Sequence, residues 1–193
     1  MEFKTAPLIQ TVTRGDEVLG FVAIDSMIGG RSCGGLRMLP DVDEAEIAGL
    51  ARAMTLKYGF LGLPQGGAKA GVRGDPEAPA EARRDRLLEF GRAIELLLRS
   101  RAYAPHADMG TDNAMIRELL QGIGLKVKAR ELRGMDSGYY TALTALAGIK
   151  QGARHIELDL SRASVAIEGF GKVGGALGGL LAAAQVRVVA VST

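Results

Sequence analysis

Near its C-terminal end the chain reads Ala163-Ser164-Val165-Ala166-Ile167-Glu168, then Gly169-Phe170-Gly171-Lys172-Val173-Gly174, then an Ala/Leu/Gly stretch to Ala184 and a second apolar run, Val186 to Val191. That order is strand, glycine turn, helix, strand. Two strands joined through a helix pair in parallel with a right-handed crossover, so this segment alone commits the chain to an α/β arrangement. In such a turn the first glycine permits the tight bend, the second lets backbone approach a bound group, and the third lets the helix pack on the strand. Unpaired N–H groups and the positive end of the helix dipole then face an anion, most naturally the pyrophosphate of a dinucleotide. A turn that is tight for packing reasons alone remains the other reading. Gly175, Gly178 and Gly179 in the following helix each weaken it by about 1 kcal/mol relative to alanine.

Glycine is over-used throughout, at 27 of 193 residues against a usual share of about 7%. With no collagen-like period or low complexity, that excess points to backbone pressed against ligands or other backbone. Hydrophobic residues make up 47% and charged residues 24%, the composition of a folded globular chain. A net charge of +2 makes no electrostatic case for nucleic acid or an anionic membrane surface as partner. The single Cys33, the lack of a start-of-chain signal and the lack of a long apolar run are read as a cytoplasmic protein that uses no metal site.

Along the chain, Leu8 to Val12 and Val18 to Ile24 read as a hairpin whose turn is Arg14-Gly15-Asp16. A glycine-studded stretch runs from Gly29-Gly30 through Gly34-Gly35 to Leu36-Arg37-Met38 and closes at Pro40. From Asp41 a helix is expected, capped by Asp41 or Asp43, with Ile47, Leu50, Met54 and Tyr58 on one face, breaking near Gly59 to Pro64. Gly66 to Val72 reads as a glycine-lined buried strand, and Ala80 to Arg101 as one long helix. A short strand and loop over Ala102 to Met109, a helix to about Gly122 and a basic connector, Lys126 to Arg133, follow. A domain boundary is placed near residue 130, after which Ser137 to Gln151 reads as a helix leading into the glycine-turn unit.

Three residues outside that unit invite chemistry. Lys57, at the inner end of the first helix, and Lys69, in Gly67-Ala68-Lys69-Ala70-Gly71, are lysines in apolar or glycine-rich settings, where an unpaired charge is costly. A lysine desolvated beside another cation becomes an acid or base near neutrality; a structural ion pair is the alternative. Asp108, in Ala107-Asp108-Met109-Gly110-Thr111, reads from position alone as a helix-capping carboxylate. His106 reads as a loop residue rather than a metal ligand, since the only other histidine is the distant His155. Cys33 has no neighbouring base to make it a nucleophile.

Five segments in order, Gly34-Gly35-Leu36-Arg37-Met38, Ala53-Met54-Thr55-Leu56-Lys57, Leu63-Pro64-Gln65-Gly66-Gly67-Ala68-Lys69-Ala70-Gly71, Ala107-Asp108-Met109-Gly110-Thr111 and the Gly169 to Gly174 turn, resemble the glutamate/leucine/phenylalanine/valine dehydrogenases. The resemblance implies an α/β protein with a substrate-binding and oligomerisation domain over residues 1–130, built on a mixed sheet with flanking helices. The first, incomplete part of a Rossmann-like domain would follow over 131–193. It implies catalytic roles for Lys69 and Asp108, and substrate binding by Lys57, Gly34, Gly35 and Met54, with Lys57 meeting the substrate α-carboxylate. Gly169, Phe170, Gly171, Lys172, Val173 and Gly174 would hold NAD or NADP. The implied reaction is reversible oxidative deamination of an L-amino acid to a 2-oxo acid and ammonia by a homo-oligomer assembled through its first domain.

Three departures refine this expectation. Glutamate-specific members carry a lysine immediately before the paired glycines, whereas this chain has Ser32-Cys33, which favours a non-acidic side chain. Where the family has threonine-glycine-arginine-glycine-valine, this chain has Ser137-Gly138-Tyr139-Tyr140-Thr141. Family members also continue for about as many residues again, which makes the 193 residues either a fragment of an active enzyme or a short chain serving as a non-catalytic binding or assembly subunit.

Overall fold

The computed structural model describes residues 7–126 and 137–192. The chain divides into two compact units, Met1–Leu132 and Arg133–Thr193. In the first unit, β1 (Leu8–Arg14) and β2 (Glu17–Ile24) form the expected antiparallel hairpin, turning at Gly15 with φ +56°. β3 (Ser32–Leu39), β4 (Gly66–Arg73) and β5 (Ala104–Ala107) complete a five-stranded sheet of order β1-β2-β4-β3-β5. β2 pairs antiparallel with β4, whereas β3 pairs parallel with both β4 and β5, so the sheet is mixed.

Helices cover both faces. Helix α1 (Glu44–Phe60) starts at Asp43, whose side chain accepts the Glu46 N–H at 2.7 Å, and Glu44 and Glu46 sit at the positive end of the dipole. It packs on the β4 face that carries Gly67 and Gly71: a Cβ at Gly67 would collide with the Thr55 backbone, and one at Gly71 with Val42 and Ile47. The opposite face buries Leu36, Met38, Ala68, Ala70 and Val72 against α2 (Ala80–Ala93), α3 (Glu95–Arg99) and α4 (Asn113–Gly122). Alternation along β4 therefore assigns alanine and valine to one core and glycines, with Lys69 between them, to the other.

Two expectations change here. The glycine-studded stretch through Gly34-Gly35 is strand β3, buried on both faces, because glycines do not oppose a strand where neighbouring backbone crowds in. The single helix expected over Ala80 to Arg101 is two. Ile94 leaves helical geometry at φ −106° and ψ 19°, and the break turns Ile94 and Leu98 into the core.

In the second unit, α5 (Ser137–His155) runs a turn beyond the expected Gln151. β6 (Ser164–Glu168) and β7 (Arg187–Ser192) pair in parallel on either side of α6 (Lys172–Ala183). Leu146, Ile167, Leu181 and Val186 form its buried cluster. Beyond Lys126, the basic connector lies outside the described residues. No described helix is long and apolar enough to cross a membrane.

Candidate active site

Lys69 and Asp108 stand 39 residues apart in sequence order and on elements that do not touch in the sheet, yet they form an ion pair. The register explains how. Cys33 lies opposite Gly67 and Leu36 opposite Ala70, which puts Lys69 of β4 level with Gly35 of β3. Leu36 lies opposite Ala107, which puts Asp108 just beyond the end of β5 on the far side of β3. Lys69 therefore reaches Asp108 across β3, and it does so over Gly35. A Cβ at Gly35 would lie 2.8 Å from both Lys69 Nζ and Asp108 Cβ. Gly34 has a different reason to be glycine, since a Cβ there would collide with the Ala68 carbonyl of β4.

The Asp108 turn is fastened to β3. Asp108 N–H donates to Thr111 Oγ1 at 3.0 Å, the Thr111 hydroxyl donates to Leu36 O at 2.7 Å, and Met38 N–H donates to Met109 O at 2.9 Å. Gly110 adopts φ +70° in that turn. Helix α4 is capped by Asp112, which accepts from the N–H groups of Ala114 and Met115, so the capping reading of Asp108 does not hold and its carboxylate is free for other work. Below the strand, the fully buried Tyr103 donates to the carbonyls of Gly34 and Gly35, at 3.4 and 3.2 Å.

Arg37 is the residue that sequence reading left without a role. Two positions after Gly35 it occupies the same face of β3. Its Nε donates to Asp108 Oδ2 at 3.1 Å, and its Nη1 pairs with Glu46 from the first turn of α1. The side chain is only 10% exposed. An arginine in an otherwise apolar strand was the available signal. Burial works against the charge on Asp108, but the Lys69 ammonium and the Arg37 guanidinium outweigh it and hold the carboxyl below the usual carboxylate range. Asp108 is thus ionised at neutral pH.

Other candidates lie elsewhere. Lys57 occupies the last turn of α1, as expected, but its side chain is exposed rather than inward and makes no ion pair with a described residue. Met54 is half-buried on the same helix. His106 lies within β5, with an exposed side chain. Cys33 is buried, and desolvation pushes its thiol up despite a hydrogen bond with Tyr58, so it is a neutral packing residue. No group of three or more His, Cys, Asp or Glu residues placed to hold a metal occurs among the described residues.

In the glycine turn, two of the three motif glycines are required by the fold itself. Gly169 adopts φ +83°, and a Cβ on Gly174 would collide with the Gly169 carbonyl, so the bend and the close helix–strand approach each require glycine. Gly171, the N-cap of α6, has φ −79° and open space where its Cβ would be. Phe170 N–H donates to Ser192 O at 2.9 Å, fastening the turn to β7, while its ring rests beside Gly178. Lys172 and Val173 are exposed at the start of α6. Tyr139 and Tyr140 form an edge-to-face pair, 5.8 Å between centroids, in the first turn of α5.

Known proteins resemble the chain in both sequence and fold. It is 29% identical over 177 residues to an NAD-specific glutamate dehydrogenase of Staphylococcus aureus, a match covering 84% of this chain and 42% of that protein. A leucine-bound crystal structure of the hetero-hexameric glutamate dehydrogenase of Thermus thermophilus superposes with a TM-score of 0.73 at 28% identity, over 97% of this chain and 49% of its own. The glutamate dehydrogenase of Peptoniphilus asaccharolyticus superposes at 0.63 with 25% identity, over 97% and 51%. The chain thus spans about half the length of the relatives it matches. Residues 10–123, which include Gly35, Lys69 and Asp108, match the family described as Glu/Leu/Phe/Val dehydrogenase, dimerisation domain, and the chain belongs to that family.

Proposed function

We propose that the chain is part of an amino-acid dehydrogenase that interconverts an L-amino acid with its 2-oxo acid and ammonia, using NAD or NADP, in a cytoplasmic homo-oligomer. The observation that carries this reading is the Lys69–Asp108 pair stretched over Gly35. Asp108, held ionised, accepts a proton from the substrate ammonium and frees the nitrogen lone pair for C=N formation. When bound at the turn from Gly169 to Gly174, the nicotinamide supplies the hydride acceptor. Lys69 then polarises the reacting carbon–oxygen or carbon–nitrogen bond and orients the water that attacks the imine, and Asp108 returns its proton to the departing ammonia. Exposed Lys57 is the candidate for the substrate carboxylate. The buried, neutral Cys33 beside the paired glycines supports a non-acidic side chain in the substrate.

The test is oxidation of NADH and NADPH with ammonia and a panel of 2-oxo acids by the intact gene product, expected to favour apolar acids and to vanish in Lys69→Ala, whereas the 193 residues alone are expected to show no turnover. Turnover that survives in Lys69→Ala would refute the assignment. A second reading, a non-catalytic subunit that binds an amino acid and assembles with an active relative, is supported by the two exposed tyrosines of α5 and by the hetero-hexameric make-up of the Thermus thermophilus relative. It predicts an amino-acid-dependent rise in melting temperature with no turnover on any oxo acid.

A further inference from the structure

Lys69 Nζ and Arg37 Nε converge on one oxygen of Asp108, Oδ2. Oδ1 accepts no hydrogen bond from a described residue, and the side chain keeps 23% of its surface exposed. Two cations on a single carboxylate oxygen are redundant for structure. The redundancy matters once one of them moves. Under the dehydrogenase reading, on which this inference rests, Lys69 must leave Oδ2 to meet the reacting substrate atom. Without a second donor, Oδ2 would lose its partner at that moment and the carboxylate would turn.

We propose that Arg37 is the positioning residue of the site: anchored by Glu46, it keeps Oδ2 bound when Lys69 engages substrate, and so leaves Oδ1 as the oxygen that exchanges the proton. The geometry is suited to this. Arg37 is in the strand interior, level with Gly71 of β4, and its guanidinium is tied at Nη1 to Glu46 of α1 and at Nε to Asp108. A planar fork held at two points cannot follow Lys69 when it moves. The charged groups facing Asp108 are Lys69 from β4 and Arg37 from β3, with Glu46 of α1 behind Arg37; its charge also acts on the buried Tyr103 phenol, and Thr111 binds only its backbone, accepting from the N–H and donating to the carbonyl.

The test is the side-chain carboxyl titration of Asp108, read by carbon-13 NMR on the purified chain in a Lys69→Met background that mimics the departed lysine. Adding Arg37→Gln is expected to raise the midpoint by about 1 or more, and Arg37→Lys to restore part of the difference. An Asp108 midpoint that is the same with and without Arg37 would overturn the proposal. Should Arg37→Gln fail to fold, the nitrogen-15 signal of Arg37 Nε–H in the otherwise wild-type chain gives the same answer: it must move with the Asp108 midpoint, and a signal indifferent to it refutes the assignment. Neither readout uses turnover. An Arg37-dependent midpoint without activity of the intact gene product on any oxo acid removes the dehydrogenase reading alone, whereas activity of that product with an Arg37-independent midpoint removes the positioning role alone.

Discussion

Replacing Asp108 should cost more stability than replacing Lys69, although the two form one ion pair. The cluster holds two cations, Lys69 and Arg37, at 7% and 10% side-chain exposure, and two anions, Asp108 and Glu46, at 23% and 37%. Asp108→Asn leaves both sealed cations with Glu46 as their only counter-charge. Lys69→Met leaves the anions in excess, but these are the wetter members and Asp108 keeps Arg37. Breaking a fully buried pair costs about 3–5 kcal/mol. The partial exposure of Asp108 reduces this to about 2–3 kcal/mol for Asp108→Asn, and the surviving Arg37 contact reduces Lys69→Met to about 1 kcal/mol. Urea unfolding at pH 7, followed by amide exchange of β3 and β4 so that only the sheet is read, measures both. The double variant should cost less than the sum of the singles by about 1 kcal/mol, since each removes the other's orphaned charge. Equal costs, or strict additivity, would refute the charge accounting.

The pair also sets a pH dependence. Asp108 has its folded carboxyl held below the unfolded value of about 3.9, so its contribution is complete above that pH and fades as pH falls through the folded value. The stability gap between the wild-type chain and Asp108→Asn should therefore close below about pH 4, and a gap constant from pH 7 to 3 would contradict the pairing. Gly35→Ala should fold, at a loss of about 1–3 kcal/mol, with the Asp108 titration displaced upward, because the new methyl opens the ion pair. Gly34→Ala meets backbone instead and should unfold the sheet, as seen by loss of exchange protection in β3; an ordinary stability for Gly34→Ala would refute the steric reason for that glycine. At the glycine turn, Gly171→Ala should keep the melting temperature within a few degrees while weakening NADH binding, whereas Gly174→Ala should lower the melting temperature of the second unit. Thermal shift with and without NADH separates these outcomes, and unchanged NADH affinity in Gly171→Ala would count against a phosphate at that position.

Much of the fold was legible because its signals are local. The β1–β2 hairpin, the Asp43 cap of α1 and the glycine turn before α6 each need only a few consecutive residues. Strand β3 was not legible as a strand, since Ser32-Cys33-Gly34-Gly35 lacks the alternation of a half-exposed strand; it is buried on both faces, and its glycines answer to β4 and Asp108. The break at Ile94 escaped for a related reason: the helical period continues through Leu97 and Leu98, and it is the demand of the core that bends the chain. At the candidate site, Lys69 stood out as a charge in a glycine-rich apolar setting, whereas Asp108 read from its position as a helix cap and gained a catalytic role only through the family resemblance. Their pairing depends on the order β4-β3-β5, which no short window of sequence contains. Arg37 was visible in its motif but silent, because the meaning of an arginine two residues after a glycine depends on what crosses that glycine.

The glycine excess divides, on this geometry, by what occupies the missing Cβ. At Gly34, Gly66, Gly67 and Gly174 the occupant is main chain, and glycine there is the condition for strands and helices to approach one another. At Gly35 the occupant is a pair of opposite charges, one from β4 and one from the turn after β5, in a place that a packing requirement alone would have filled with an apolar side chain. At Gly169 the requirement is a positive φ rather than space. Gly171 belongs to none of these classes, with ordinary φ, no neighbour within 4 Å and a place at the start of a helix where alanine would be tolerated. Gly49, Gly59, Gly148, Gly152, Gly175 and Gly179 share that freedom, so open space alone does not call for a ligand; what sets Gly171 apart is its place among the N–H groups at the start of α6, which suits the anion proposed there.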